Sequence, residues 1–314
     1  MQRVNVDEGG AGQRLDNFLI RLLKGVPKTH VYRVIRSGEV RVNRGRASAD
    51  TRLALGDEVR VPPVRVAERA AVAPAPPREF PILYEDEHVI AVDKPAGVAV
   101  HGGSGVSFGV IEQLRRARPQ ARFLELAHRL DKQTSGVLLL AKKRSALTVL
   151  QQQFRSRAID KTYAALVVGT WPAARKVIDV ALHKSTAADG VRRVRAVAAD
   201  DQDGRRSITL VKVARRCQAY TLLDVTLKTG RTHQIRVHLA HEGHAIVGDD
   251  QYGDFELNRQ LARGEGLAGV RFARMFLHAR RLAFDHPAGG ARIELEAPLP
   301  AECVRLLGVL CEPH

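Results

Sequence analysis

Leu15, Phe18, Leu19 and Leu22 recur at helical spacing, which predicts an amphipathic helix over 14–23 that Lys24-Gly25 ends. Pro27 stands where a second helix would begin, with Val31, Val34 and Ile35 as its inner stripe and Ser37-Gly38 as its C-terminal cap. The period then changes from helical to alternating. Val40 and Val42 alternate with Arg41 and Asn43, residues 43–46 make a turn, and Val59 and Val61 alternate again after Gly56-Asp57. From 64 to 81 the pattern dissolves, and six of the fourteen prolines fall between Pro62 and Pro81, which predicts an extended tether. The chain is thus expected to hold a small domain over 1–63, a linker over 64–80 and a larger domain over 81–314.

In the larger part, short strands are predicted at 82–84 and 88–92, with a turn at Lys94-Pro95-Ala96-Gly97. A glycine-dense stretch, 101–105, precedes a helix whose apolar side includes Val110, Ile111 and Leu114. A buried strand at 136–141 follows, then a helix with Leu147, Leu150 and Phe154 inward, and an alternating strand at 161–168. Residues 191–204 read as a hairpin or mobile loop, and 207–214 and 220–228 as further strands. Gly230 breaks the last of these, and Thr232 is placed to cap a helix running through His241 with Ile235 and Leu239 inward. Closing strands at 276–284 and 291–297 and a terminal helix carrying Leu306, Leu307 and Leu310 complete the reading. Strands outnumber helices and short turns join most of them. The fold class is therefore α+β, a mixed and largely antiparallel sheet with flanking helices.

With 314 residues and 45% apolar content, the chain can bury a substantial core. A formal charge of +16 points to a polyanionic partner, and no apolar run approaches a membrane-spanning length, so nucleic acid is favoured over membrane. The six cations Lys28, Arg33, Arg36, Arg41, Arg44 and Arg46 share their stretch with a single acid, Glu39, and form a candidate phosphate-contacting face. Cys217, Cys303 and Cys311 match neither a disulfide framework nor a metal knuckle, so they are expected to be ordinary thiols in a reducing cytoplasm. Met1 to Gly12 lacks the apolar core of an export signal.

Candidate chemistry gathers at Ala127-His128-Arg129-Leu130-Asp131-Lys132-Gln133-Thr134-Ser135-Gly136. A carboxylate among cations, on a turn leading into a buried strand, is a reactive group on a rigid rim, and Asp131 is the candidate nucleophile. Two other stretches are suited to meet it: Lys161-Thr162-Tyr163 and the run from Lys228 to Arg236. Tyr163 has a plainer reading as a core aromatic. The glycines at 102–105 have neither dinucleotide nor P-loop spacing, so no nucleotide cofactor is expected; they would let backbone approach RNA or the nucleophile loop, or simply be a flexible loop. His233, His238, His241 and His244 lack zinc-protease spacing and a completing ligand, so no metal is expected.

His128 to Gly136, Lys161 to Leu166 and Thr229 to His238 resemble, in order, the three motifs of the RluA-type pseudouridine synthases. Asp93 to Gly97, Val100-His101, Gly248-Asp249, Tyr252-Gly253 and Leu277 to Ala279 agree, and the likeness runs from about Phe80 to Pro300. The segment before the linker resembles an S4 RNA-binding domain. The resemblance implies a pseudouridine synthase fold and a cofactor-free isomerisation of uridine, with 23S ribosomal RNA of the large subunit or a pre-ribosomal particle as partner and a monomeric enzyme. It assigns Asp131 as nucleophile, attacking either ribose C1′ or C6 of the base. It makes Arg231 the arginine that pairs with Asp131 and Tyr163 the aromatic that stacks on the base and assists proton removal. Arg129 would fill the gap left by an everted uridine, or contact phosphate. Ala245 stands where the family usually has proline.

Overall fold

The computed structural model describes residues 1–23, 25–64, 74–103, 108–186, 192–265 and 269–311. Most of the stretch expected to be a tether, and the second half of the glycine-dense stretch, lie outside these residues. The chain divides into two compact units, residues 1–76 with 119–123, and residues 77–118 with 124–314.

In the first unit β1 (Gln2–Asn5), α1 (Leu15–Leu22), α2 (Lys28–Arg36), β2 (Arg41–Val42) and β3 (Glu58–Val61) follow one another. The strands form an antiparallel sheet in the order β1-β3-β2. Leu15, Phe18, Leu19, Val31, Val34 and Ile35, the residues that set the helical period, are its core with Val40, Val59 and Val61. Asn43 and Arg44 turn the chain with positive φ (49° and 68°), a conformation that asparagine tolerates better than most residues. Lys28, Arg33, Arg36, Arg44 and Arg46 are exposed and Arg41 half-buried, with Arg33 3.8 Å from Glu39.

The second unit opens with β4 (Ile82–Glu85), β5 (Val89–Lys94), α3 (Val110–Ala117), β6 (Glu125–Leu126), β7 (Ser135–Ala141), α4 (Arg144–Ser156), β8 (Asp160–Val168) and β9 (Val177–Asp179). It continues with β10 (Ala181–Thr186), β11 (Arg192–Val197), β12 (Ile208–Cys217), β13 (Tyr220–Leu227), α5 (Gln234–His241), α6 (Phe255–Arg263), β14 (Leu277–Asp285), β15 (Arg292–Glu296) and α7 (Ala301–Cys311). Ten strands form one sheet whose main path is β4-β5-β7-β14-β8-β13-β12-β9, with β6 beside β7 and β15 beside β14. Pairing is antiparallel except between β7 and β14. Every residue of β7 is buried, as its unbroken apolar run requires.

Gly136 shows why a glycine follows Ser135. Its φ is +108°, and a Cβ there would stand 2.2 Å from the carbonyl oxygen of Ala279 on β14. The stretch expected to be a hairpin or loop supplies β11, which returns along β10 in antiparallel register.

Two expectations are corrected. Thr232 does not cap α5; His233 is the N-terminal boundary residue, in left-handed conformation (φ 52°), and its side chain makes no capping bond. Cys217 and Cys311 are not separate thiols but form a disulfide across 94 residues of sequence, because the fold brings the end of β12 to the end of α7. Cys303 alone among the cysteines is free, and buried. Among the described residues, no helix is long and apolar enough to cross a membrane.

Candidate active site

Asp131 sits in the turn that feeds β7, and this turn is held from both sides. The Thr134 amide donates to the Asp131 carbonyl at 3.1 Å, and the Gly97 amide donates to the Lys132 carbonyl at 2.9 Å. Lys94, fully buried, donates from Nζ to the carbonyls of Pro95, Val98 and Lys132. Burial and neighbouring Arg274 push its ammonium down to about 7, against the opposing pull of Asp131 and Asp93. On the other side, the Leu139 amide donates to His128 Nε2 at 3.0 Å, and the His128 ring stacks on Phe154. Burial, then the charge of Lys161, brings His128 down to about 3, so it is a neutral brace at neutral pH. Ser135 receives a hydrogen bond from Arg274 and shares one with buried His278.

The turn opens onto a cavity of about 490 Å³, whose wall includes Arg129, Asp131, Lys161, Tyr163, Arg231, His233 and Arg236. All three stretches singled out from sequence therefore meet at one concavity. Tyr163 reaches it from β8, paired with Val225 on one side and Ala279 on the other. Burial, and then the charge of Asp131, raise its phenol far above the ordinary tyrosine range. Lys161 lies over the Phe154 ring at 5.5 Å, and burial lowers its ammonium. Arg129 is exposed at the rim.

Arg231 does not pair with Asp131: among the described residues, the two share no ion pair within 4 Å. Arg231 lies exposed before α5, where it also borders a second pocket. Among the described residues, the basic side chain within 4 Å of the Asp131 carboxylate is His233, whose Nε2 stands 4.0 Å from Oδ2 and whose Nδ1 is hydrogen-bonded to the Tyr252 hydroxyl. Burial lowers the His233 imidazole despite Asp131.

The arginine buried beside Asp131 is Arg236, which sequence reasoning left without chemistry. It is 4% exposed and lines the cavity. It forks onto Asp249 with two bonds of 2.7 Å and lies 5.0 Å over the Tyr252 ring. Burial opposes its charge, but Asp249 and Asp131 keep it protonated. Asp249 is held in turn by amides of Gln251 and Tyr252.

The turn between β13 and α5 is tied by Gln234. Its side-chain oxygen accepts from the Thr229 hydroxyl and the Arg231 amide, and its nitrogen donates to the Ile208 carbonyl and the Thr209 hydroxyl. Every hydrogen-bonding direction of that buried amide is used. The nearby histidines are spent separately: His238 bonds Thr209 and the Val180 carbonyl, and His244 bonds the Val168 carbonyl.

Two family models match, RNA pseudouridylate synthase over residues 88–241 and the S4 domain over 13–59. "Ribosomal large subunit pseudouridine synthase C" of Escherichia coli K12 is 50% identical over 310 residues, covering 97% of this chain and 94% of that protein. The chain belongs to the RNA pseudouridylate synthase family. The Pasteurella multocida protein of the same name is 46% identical over 99% of the chain. Among solved structures, human RNA pseudouridylate synthase domain containing 4 superimposes with a TM-score of 0.60 at 26% identity, covering 73% of this chain and 92% of the other. The synthase is an isomerase with an S4 domain at its N-terminus, and its α+β fold is that of its family.

Proposed function

We propose that this synthase converts specific uridines of 23S ribosomal RNA to pseudouridine, with Asp131 as the nucleophile and the target base everted into the cavity. The observation that carries the reading is the meeting of Asp131, Tyr163 and Arg236 at one cavity. The names of the relatives, synthases of the ribosomal large subunit, supply the substrate.

The isomerisation breaks the bond between N1 and C1′, turns the uracil and joins C5 to C1′; the hydrogen leaving C5 is balanced by one gained at N1. No redox step is involved. Asp131 adds either at C1′ or at C6 of the base, and the fork of Arg236, fixed by Asp249, orients its field toward that carboxylate. Tyr163 gives the base a flat surface. Its phenol stays protonated at neutral pH, which favours stacking and hydrogen-bond donation over proton removal. A base paired in RNA must leave its helix to enter, and Arg129 at the rim fills the space it vacates. The exposed cations of the first unit hold phosphates and position the RNA without reading it.

The test uses 23S ribosomal RNA from cells lacking the protein, incubated with purified enzyme and mapped for pseudouridine. Defined sites are expected with the wild type and none with Asp131→Asn, whose affinity for the RNA should stay within a few-fold. Product from Asp131→Asn would overturn the assignment.

A further inference from the structure

Next to the cavity, on the far side of Arg231, lies a second pocket of about 430 Å³ that no step above uses. Arg231 and Thr232 border both spaces, so the two adjoin. We propose that the pocket receives the nucleotide directly linked to the target uridine, its phosphate against Lys184 and Arg205. This proposal rests on the function proposed above.

Two observations support it. The floor is apolar: Leu182 and Val194 are buried and pack on Val237, which suits the face of an unstacked base. The rim carries Lys184, Arg205 and Arg231 against one carboxylate, Asp203. Among the described residues, none of those three cations has an acid within 4 Å, so their charge is available to phosphate.

Lys184 and Arg205 are exposed, so their replacement leaves the core intact. The probe is a short fluorescein-labelled 23S fragment around a mapped uridine, carrying one uncharged methylphosphonate at each nearby phosphate in turn. Binding is read as anisotropy. For the wild type, one position should weaken binding by about ten-fold. Lys184→Ala/Arg205→Ala should bind unmodified RNA more weakly by a similar factor, lose about 0.7 from the slope of log affinity against log salt, as one phosphate contact requires, and ignore the methylphosphonate at that position. Lys184→Arg/Arg205→Lys should restore the sensitivity. Penalties that multiply, or a wild type indifferent to every position, would overturn the proposal. Binding needs no turnover, so coupling without any pseudouridine would count against the proposed function, whereas turnover without coupling would count against the subsite alone.

Discussion

Replacing Asp249 by alanine leaves buried Arg236 with the exposed Asp250 as its remaining acid within 4 Å among the described residues, and the cost can be worked from the contacts. Side-chain exposure is 5% for Arg236 and 1% for Asp249, and breaking such a buried pair costs about 3–5 kcal/mol. The amides of Gln251 and Tyr252 lose their acceptor as well, at about 1 kcal/mol each where water does not replace it. Asp250, 3.4 Å from Arg236 but 69% exposed, recovers only about 0.5 kcal/mol because water screens it. The net loss is on the order of 5 kcal/mol, which lowers the midpoint of a unit this size by roughly 10–20 °C. Trp171, the sole tryptophan, is buried in the second unit, so its fluorescence reports that unit's unfolding without the first. Arg236→Met/Asp249→Leu, which removes both charges, should be less destabilised than Asp249→Ala although it is inactive. The pH dependence has a definite sign. Burial works against the Asp249 carboxylate, but Arg236 and the amides win and lower it, so its contribution is full above the ordinary carboxylate range and is lost as pH falls through the lowered value. An Asp249→Ala loss below about 1 kcal/mol, or a double variant no better than the single, would refute the reasoning.

Tyr163→Phe should keep most of the activity and Tyr163→Ala little, since the stacking face and not an ionised phenol is the contribution; single-turnover rates that fall equally in both would contradict this. Denatured without reductant, the protein should titrate one thiol, Cys303, and a count of three would refute the disulfide. Because the buried Lys94 titrates near 7 when folded and far higher when unfolded, stability should rise as pH increases from 7, and Lys94→Met should flatten that rise in urea unfolding followed at Trp171. Gly136→Ala should fail to form a stable sheet between β7 and β14, seen as loss of soluble protein or of the cooperative tryptophan transition, because backbone and not a pliable side chain stands in the way.

Where one face of an element is buried, the sequence was readable. α1 and α2 obey their apolar period, and β7 declares itself by an uninterrupted run. α5 is a different case: the glycine break already left Arg231 outside the helix, but Gln234 to Leu239 are all buried, so periodicity could not single out Arg236 as the arginine that enters the site. The accessible signal was chemical, an acid at Asp249 after a tight glycine turn, able to neutralise a buried guanidinium. α6 buries only Leu261, leaving its apolar stripe too thin to notice, though Asp254 caps it by accepting from two amides. β1 is nearly all exposed and has no alternation to detect. The disulfide depends on the ends of β12 and α7 meeting in space, which cysteine spacing does not encode.

The Gln234 knot has a consequence for how such enzymes change targets. Among the described residues, the hydrogen bonds that fix the turn come from Thr229, Gln234, Ile208, Thr209 and main chain at Arg231, and none of them uses the side chain of Arg231 or Thr232. Those two positions can be re-spelled while the frame beneath them stays put. On the function proposed above, the RNA-facing border shared by the cavity and the second pocket can therefore be altered one substitution at a time without untying the backbone turn that carries it.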